Sequence, residues 1–252
     1  MDQMKIDKLA EIINKAKRIV FFGGAGVSTE SGIPDFRSPD GLYNTKMRVA
    51  SLRNTNFSAE EILSHTFFMK RTNLFFDYYF DALINPDVKP NFAHYFLAKL
   101  EKQGKLNAVI TQNIDGLHQD AGSKNVIELH GSVKRNYCMK CHKFYNDLQI
   151  LECHAQCECG GIIKPDVVLY EEPLNEQAIE QTVFEIYNAD CLIIGGTSLN
   201  VYPAASFIRY FRGTSLVVIN RDPIAIDSQA TLVIREKIGE VFNEVDQKLN
   251  AK

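Results

Sequence analysis

Three groups of residues in this chain have types and spacing suited to chemistry. The first is Gly24-Ala25-Gly26, one glycine beyond the apolar run Ile19–Phe22. Such a turn can bring backbone amides against the oxygens of a diphosphate, and Ser28 offers a further donor. The second is a pair of polar strand ends, Thr111-Gln112-Asn113-Ile114-Asp115 and Glu128-Leu129-His130-Gly131-Ser132. A neutral imidazole there can take a hydroxyl proton near pH 7, since its unperturbed pKa is about 6.5. The third is a crowd of thiols, five of the six cysteines falling between Cys138 and Cys159.

The thiols are spaced for a metal. Cys138-Met139-Lys140-Cys141 has the interval of a zinc knuckle, and Cys157-Glu158-Cys159 follows it with Gly160 and Gly161. Two thiolate pairs can close a tetrahedron around Zn²⁺, which makes a structural site with no place for a catalytic water. The second pair has one intervening residue where two are usual, so Cys153, His142 and His154 stand as rival ligands. Cys191 opens an apolar run and reads as a small buried hydrophobe. His65 and His94 read as satisfied core histidines.

The glycine turn is not that of a dehydrogenase. Thr29 stands where the third glycine of that fingerprint would fall, and no strand-end carboxylate follows about 20 residues later to read a ribose. Hydride transfer is a poor fit. Instead Pro34-Asp35-Phe36-Arg37 follows, on what should be a loop above the site.

These groups need a scaffold, and the periodicity supplies one. Strand-like runs end at Gly23, Ile114, Gly131, Tyr170, Thr197, Asn220 and Glu236. Most are continuously apolar, as in a parallel sheet covered on both faces. Helical patterns fall between several of them. Ile6, Leu9, Ile13 and Ala16 mark one at the start, Asn91 and Asn175 cap two more, Gly104 stops the second, and another begins at Lys237. This alternation predicts an α/β fold with a doubly wound, Rossmann-like parallel sheet. Two stretches break it. Residues 46–85 are helical and aromatic, opening with a capping box at Ser58-Ala59-Glu60-Glu61, and residues 134–165 carry the cysteines. The expected division is a nucleotide-binding domain (1–45, 86–133 and 166–252) and a smaller lobe built from the helical and zinc-binding modules, set over the strands' carboxyl ends.

Composition excludes several partners. Net charge is −3, with 23% charged residues and no block of one sign, which gives no footprint for nucleic acid. The apolar runs are strand-sized, so no membrane span is expected, and the N-terminal stretch does not read as a signal peptide. The expected compartment is the reducing cytoplasm. The oligomeric state is not legible, and a monomer fits.

Taken together, GAGVSTESGIPDFR, the Thr111–His118 run, Glu128–Ser132, the cysteine pairs and Gly195-Gly196-Thr197-Ser198-Leu199 resemble the sirtuins, the NAD-dependent protein lysine deacylases. The match runs from about Ile19 to Asn220 in one order. The resemblance implies a reaction that consumes NAD. The acyl oxygen of a modified lysine attacks C1′ of the nicotinamide ribose, nicotinamide leaves, and the ribose 2′-hydroxyl and water resolve the adduct to free lysine and O-acyl-ADP-ribose. His130 matches the general base, with Asn113 and Asp115 in the pocket that holds the carboxamide. Asp115 also reads as a simple helix cap. Gly24, Ala25, Gly26 and Ser28 match the pyrophosphate turn, and Ile33, Asp35, Phe36, Arg37 and Tyr43 the segment that folds over NAD. Gln112 matches a contact to the nicotinamide ribose. Gly196, Thr197, Ser198, Asn220 and Arg221 match the adenosine side.

The acyl-lysine peptide is expected as a strand between Val168-Leu169-Tyr170 and Asn200-Val201-Tyr202, paired through backbone groups. Two positions depart from the family's pattern. Glu171 stands where glycine is common after the aromatic, and Gly23 where Thr or Ser commonly precedes the turn. Family members that remove succinyl or malonyl groups resemble one another in a Tyr and an Arg on a small-lobe helix. This chain offers Tyr78, with Asp81 where the arginine would fall, so a neutral acyl group, acetyl first, is expected. Two other readings stand beside this one: ADP-ribosyl transfer to protein from the same site, and a non-catalytic zinc and nucleotide module. The second finds little basic or aromatic surface around the cysteines to bind with.

Overall fold

The computed structural model describes residues 1–36, 41–43, 51, 52 and 56–250. Asp2 caps α1 (Gln3–Lys15) by accepting from the amides of Met4 and Lys5, and Ile6, Leu9 and Ile13 line its buried face. β1 (Ile19–Gly23) follows, buried at every position. Among the described residues of the first insertion lie the helices α2 (Ala59–Ile62), α3 (His65–Lys70) and α4 (Thr72–Ala82). The capping box forms at the start of α2, where Ser58 N–H donates to Glu61 Oε2 at 2.7 Å and Glu61 N–H to Ser58 Oγ at 3.1 Å. Asn91 caps α5 (Phe92–Lys102), and Gly104, at φ +70°, lets the chain turn away into β2 (Leu106–Thr111). The one-turn α6 (Leu117–Asp120) and β3 (Val126–Glu128) come next. The cysteine segment contains β4 (Gly131–Cys138), β5 (Phe144–Tyr145), α7 (Asp147–Glu152) and β6 (Ile163–Val167). Asn175 then caps α8 (Glu176–Asn188), and β7 (Cys191–Gly195), β8 (Ser215–Ile219), β9 (Leu232–Ile234) and α9 (Ile238–Asn250) follow.

Six strands form one parallel sheet in the order β3-β2-β1-β7-β8-β9. The chain builds outward from β1 to β3, then returns to β7 and builds the other way. The strand order therefore reverses between β1 and β7, whose last residues, Gly23 and Gly195, lie in register. Diverging loops at such a point leave a crevice at the carboxyl ends, where open α/β sheets bind ligands. Successive side chains point to opposite faces. Phe21, Val109, Ile193 and Val217 pack under α1, α5 and α9, while Val20, Phe22, Ile110 and Ile194 pack under α8 and the 3₁₀ helix Ala204–Tyr210. Each fully buried Phe contributes about 2–3 kcal/mol of transfer free energy, and both faces need their cover.

A second body packs around its own apolar cluster, which joins Phe67, Phe68, Phe75 and Tyr79 of the helices to Val133, Tyr145, Ile150 and Ile163 of the cysteine segment. Its sheet is antiparallel, β5-β4-β6. Here the structure corrects the sequence reading. The apolar run ending at Tyr170 is not a strand of the main sheet. β6 is instead an edge strand on β4, a position that accommodates Pro165, and it ends at Val167. The boundaries expected at 134 and 166 fall inside β4 and β6. β4 itself carries no clean alternation, because its register shifts between Ser132 and Asn136 and puts charged residues mid-strand. His65 is exposed at the start of α3, its Nδ1 2.8 Å from Glu172 Oε1, and is no core residue. His94 is buried, with Nδ1 accepting from Asn91 N–H at 3.2 Å and Nε2 unpartnered.

Candidate active site

A cleft of about 730 Å³ opens above β1 and β7, between the two bodies. The glycine loops from the two halves of the sheet cross at its floor. Gly26 N–H donates to Gly196 O at 2.8 Å, and a Cβ on Gly26 would sit 2.8 Å from Gly196 Cα. Gly196 is equally constrained, at φ +59° with Val27 N only 2.4 Å from where its Cβ would lie. Two backbones this close leave room for no side chain. The contact also uses amides that the sequence assigned to phosphate. Gly24 N–H goes to Gly195 O and Gly26 N–H to Gly196 O, so of the three amides on this turn Ala25 N–H is the one without a partner among the described residues, and Thr197 and Ser198 line the cleft from the other loop. Gly23 is explained as well, since a Cβ there would meet the Phe21 ring at 2.6 Å.

His130 lines the cleft, beyond the end of β3. Its Nδ1 lies 2.9 Å from the backbone oxygen of Gln112, which can only accept, so Nδ1 carries the proton and Nε2 is the free base. Burial pushes the pKa of His130 below the ordinary histidine value, and the Gln112 carbonyl partly opposes the shift. The ring is therefore neutral at pH 7. Gln112 is itself fixed by a 3.0 Å bond from its Nε2 to Thr197 Oγ1, across the floor of the cleft.

Ser28 is not where the sequence put it. It is 1% exposed and does not line the cleft; its hydroxyl donates to Asp115 Oδ2 at 2.7 Å and accepts from Asn113 Nδ2 at 3.0 Å. A hydroxyl whose hydrogen is used this way is no phosphate donor. Asp115 also accepts from Leu117 N–H, the first amide of α6, at 2.9 Å while joining the Ser28 network, although the N-cap position of that helix belongs to Gly116. Burial raises its pKa, against these hydrogen bonds. With Ile33 it faces a second, water-sized cavity of about 50 Å³ rather than the main cleft. Asn113 reaches the main cleft.

The remaining expected residues fall around that cleft: Asp35, Phe36 and Tyr43 on one wall, Asn220 and Arg221 beyond β8, and both peptide loops at the mouth. Arg37 lies outside the described residues. Tyr43 packs on Phe36, ring centres 5.4 Å apart, and its hydroxyl lies 2.7 Å from that of Tyr170, which joins the segment expected over NAD to the segment expected to hold peptide.

The cysteines also converge. The sulfurs of Cys138, Cys141, Cys157 and Cys159 all lie within 4.8 Å of one another, with Cys138–Cys159 at 3.5 Å and Cys141–Cys157 at 3.6 Å. A tetrahedral Zn²⁺ with bonds of about 2.3 Å sets its sulfurs about 3.8 Å apart, so the set fits zinc. Cys153 is elsewhere, its sulfur 3.7 Å from Ile150 O, and neither His142 nor His154 joins the four. No member of the set lines the cleft.

Residues 24–203 match the Sir2 family. The chain belongs to that family. Curated relatives of this sirtuin include proteins named NAD-dependent protein deacetylase from Clostridium perfringens, 58% identical over 96% of this chain and 98% of that one, and from Clostridium tetani, 55% identical over 99% of each. Among solved structures, a Sir2 with a p53 peptide and NAD+ superposes with a TM-score of 0.84 at 35% identity, covering 99% of this chain and 100% of that one. A Sir2 bound to acetylated peptide gives a TM-score of 0.84 at 33% identity, covering 99% and 100%.

In this sirtuin the loop expected to hold the peptide is not open where the sequence suggested. Tyr170 N–H donates to Leu63 O and Tyr170 O accepts from His65 N–H, both at 3.0 Å, which ties that residue to the helical module. Leu169 N–H goes to Glu172 Oε2 at 2.9 Å and Val168 N–H to His130 O at 3.0 Å. The groups left without partners among the described residues are Val168 C=O and both backbone groups of Glu171. The sequence reading also missed Leu63, Leu83, Ile114 and Val167, which give the cleft an apolar wall, and Glu30, which lines it while accepting from Gly239 N–H at 2.7 Å. Glu30 sits within the quoted glycine motif and Ile114 within the quoted Thr111–His118 run; Leu63, Leu83 and Val167 carry no local signal, because they come from separate elements.

Proposed function

We propose that this sirtuin removes acetyl groups from the lysine side chains of proteins, consuming NAD and releasing nicotinamide and O-acetyl-ADP-ribose. The observation that carries this is His130, a neutral imidazole with Nδ1 held by the Gln112 carbonyl, in the cleft where the β1 and β7 loops cross. Bound NAD supplies an electrophilic ribose carbon, a leaving group and a ribose hydroxyl. The chain does the rest. Ala25, Thr197 and Ser198 offer open amides to the dinucleotide's oxygens, with Asn220 and Arg221 toward the adenosine. His130 Nε2 takes the ribose hydroxyl proton, and the Gln112 carbonyl stabilises the imidazolium that results. Asn113, Asp115 and Ser28 form one hydrogen-bonded unit that orients the carboxamide end. Phe36 and Tyr43 screen the cleft from water.

The substrate acyl-lysine enters between Val168–Glu171 and Asn200–Tyr202, pairing with the unpartnered backbone groups there. Leu63, Leu83, Ile114 and Val167 present no charge to an acyl chain, which supports a neutral group. Tyr78 contributes nothing to this selection, being 5% exposed within the small-lobe core. The NAD-binding domain is the expected one (1–45, 86–133 and 166–252) with its inner boundaries moved to the start of β4 and the end of β6, and the smaller lobe is held by zinc through folding energy rather than chemistry. A thiolate metal site needs reduced cysteines, which suits the cytoplasm. Among the described residues no helix is long and apolar enough to cross a membrane.

Mass spectrometry of products from NAD and an acetylated peptide tests the reaction. Equal yields of free peptide and O-acetyl-ADP-ribose, both absent with His130→Ala, are expected. Label from NAD retained on protein instead would replace this reading with ADP-ribosyl transfer.

A further inference from the structure

The side chain at 171 is the feature of the peptide loop that its architecture does not require. Glu171 adopts φ +77°, a left-handed backbone that favours glycine, and keeps it although a side chain is strained there. Its carboxylate gives part of the compensation. The four amides of the first turn of α3 are all satisfied: His65 N–H by Tyr170 O, Thr66 N–H by Glu171 Oε2 at 2.8 Å, Phe67 N–H by Ser64 Oγ and Phe68 N–H by Ser64 O. Hydrogen bonds from Thr66, with His65 and Lys70 adding attraction, hold the Glu171 carboxyl below the usual carboxylate range, so it is charged at neutral pH.

Charge at the mouth is then uneven. Glu172, the neighbouring acid, pairs with Lys164 at 3.1 Å and with His65 at 2.8 Å. Glu171 is exposed, lines the cleft, and has no ion pair within 4 Å among the described residues. Its unpartnered N–H and C=O belong to the edge along which a substrate strand would lie. Residues opposite one another across such a pairing have Cβ atoms about 5 Å apart, where opposite charges attract and like charges repel.

We infer that Glu171 is a specificity-determining residue: it selects acyl-lysine peptides with a Lys or Arg one or two positions from the acylated residue and disfavours those with Asp or Glu there. The inference rests on the deacetylase reading, since it concerns the flanks of that substrate. Neighbouring cations temper it, and an exposed pair is screened by salt. A preference of about fivefold between basic and acidic flanks is therefore the expected size.

The test uses three acetyl-lysine peptides that differ only in an Arg, Ala or Glu beside the acylated residue. For each enzyme variant, kcat/KM is referenced to its own alanine peptide, and equilibrium Kd is measured separately by fluorescence anisotropy. The native chain should favour Arg over Glu by about fivefold at low salt. Glu171→Gln, which keeps an acceptor for Thr66 N–H, should bring the ratio close to one, and Glu171→Lys should invert it. Equal rates on all three peptides with the native chain, or an unchanged ratio in Glu171→Gln, overturns the inference while leaving deacetylation intact. Absence of deacetylation from every peptide overturns the reaction instead. The Kd series still decides the charge preference in that case, a flat series refuting it and a graded one supporting it.

Discussion

Replacing Ser28 by alanine separates two roles for one hydroxyl. As a phosphate donor, Ser28 would bind NAD alike in ground and transition states, so its loss would raise KM for NAD and leave kcat near its native value. The structure instead spends both of its bonds on Asn113 and Asp115, at 3.0 and 2.7 Å. Ser28→Ala strips the acceptor from a buried amide and a donor from a buried carboxylate, and each such loss costs about 1–3 kcal/mol. Part of that appears as stability, because Asp115 keeps its bond from Leu117. If one to two bonds' worth falls on alignment of the reacting end, kcat drops between about tenfold and a hundredfold, 1.4 kcal/mol being tenfold. Steady-state kinetics with NAD and acetylated peptide each varied in turn would measure this. A double-mutant cycle with Asp115→Asn should show Ser28 and Asp115 coupled by about 1–3 kcal/mol. A rise confined to KM for NAD, with additive effects in the cycle, would refute the reasoning.

Other perturbations probe the remaining parts. Because burial lowers the pKa of His130, the acid limb of kcat/KM should fall with an apparent pKa below about 6.5, the free base being lost only beneath that value; a limb above 6.5 contradicts the burial argument. His94 and His118 lie with ring centres 4.7 Å apart, and burial pushes their pKa values down to about 4 and about 3. Below about 6.5 the unfolded chain takes up protons that the folded chain refuses, so stability should fall by roughly 2 kcal/mol between pH 7 and pH 5.5; equal urea midpoints at the two pH values would count against this. Gly196→Ala forces a Cβ against Val27 N at 2.4 Å and should raise KM for NAD by about tenfold or more, as the crossed loops separate; native kinetics would show that the contact is dispensable. Cys138→Ser should lose roughly one zinc per chain, together with thermal stability, whereas Cys153→Ser should lose neither. Metal analysis beside a melting curve decides that pair.

The sheet was legible because its strands are continuously apolar, and the helices because Asn91, Asn175 and the Ser58–Glu61 box mark their starts chemically. The cysteine set was legible through spacing, but the choice between Cys153 and Cys157 needed the folded loop to bring sulfurs together. What escaped the sequence depends on register and on competition for partners. β4 was hidden by the shift between Ser132 and Asn136, and the run at 166–170 looked like a core strand because an apolar stretch does not declare which sheet it joins. Ser28 sits in a motif that reads as phosphate-binding, yet the fold gives its hydrogen to Asp115. The open edge of the peptide loop moved in the same way. Both backbone groups of Tyr170 are bonded to residues more than a hundred positions earlier, and local sequence carries no trace of that.

That last tie has a mechanical consequence. The strap at Leu63–His65 clamps one side of the Tyr170 backbone, while Val168 hangs from His130, so a few residues of chain bridge the helical module and the proposed base. A guest strand laid along this bridge would act as a splint, stiffening both ends together. Any tilt of the smaller body would in turn tug on the imidazole through two peptide units, so grip on the substrate and readiness of the base would rise and fall as one.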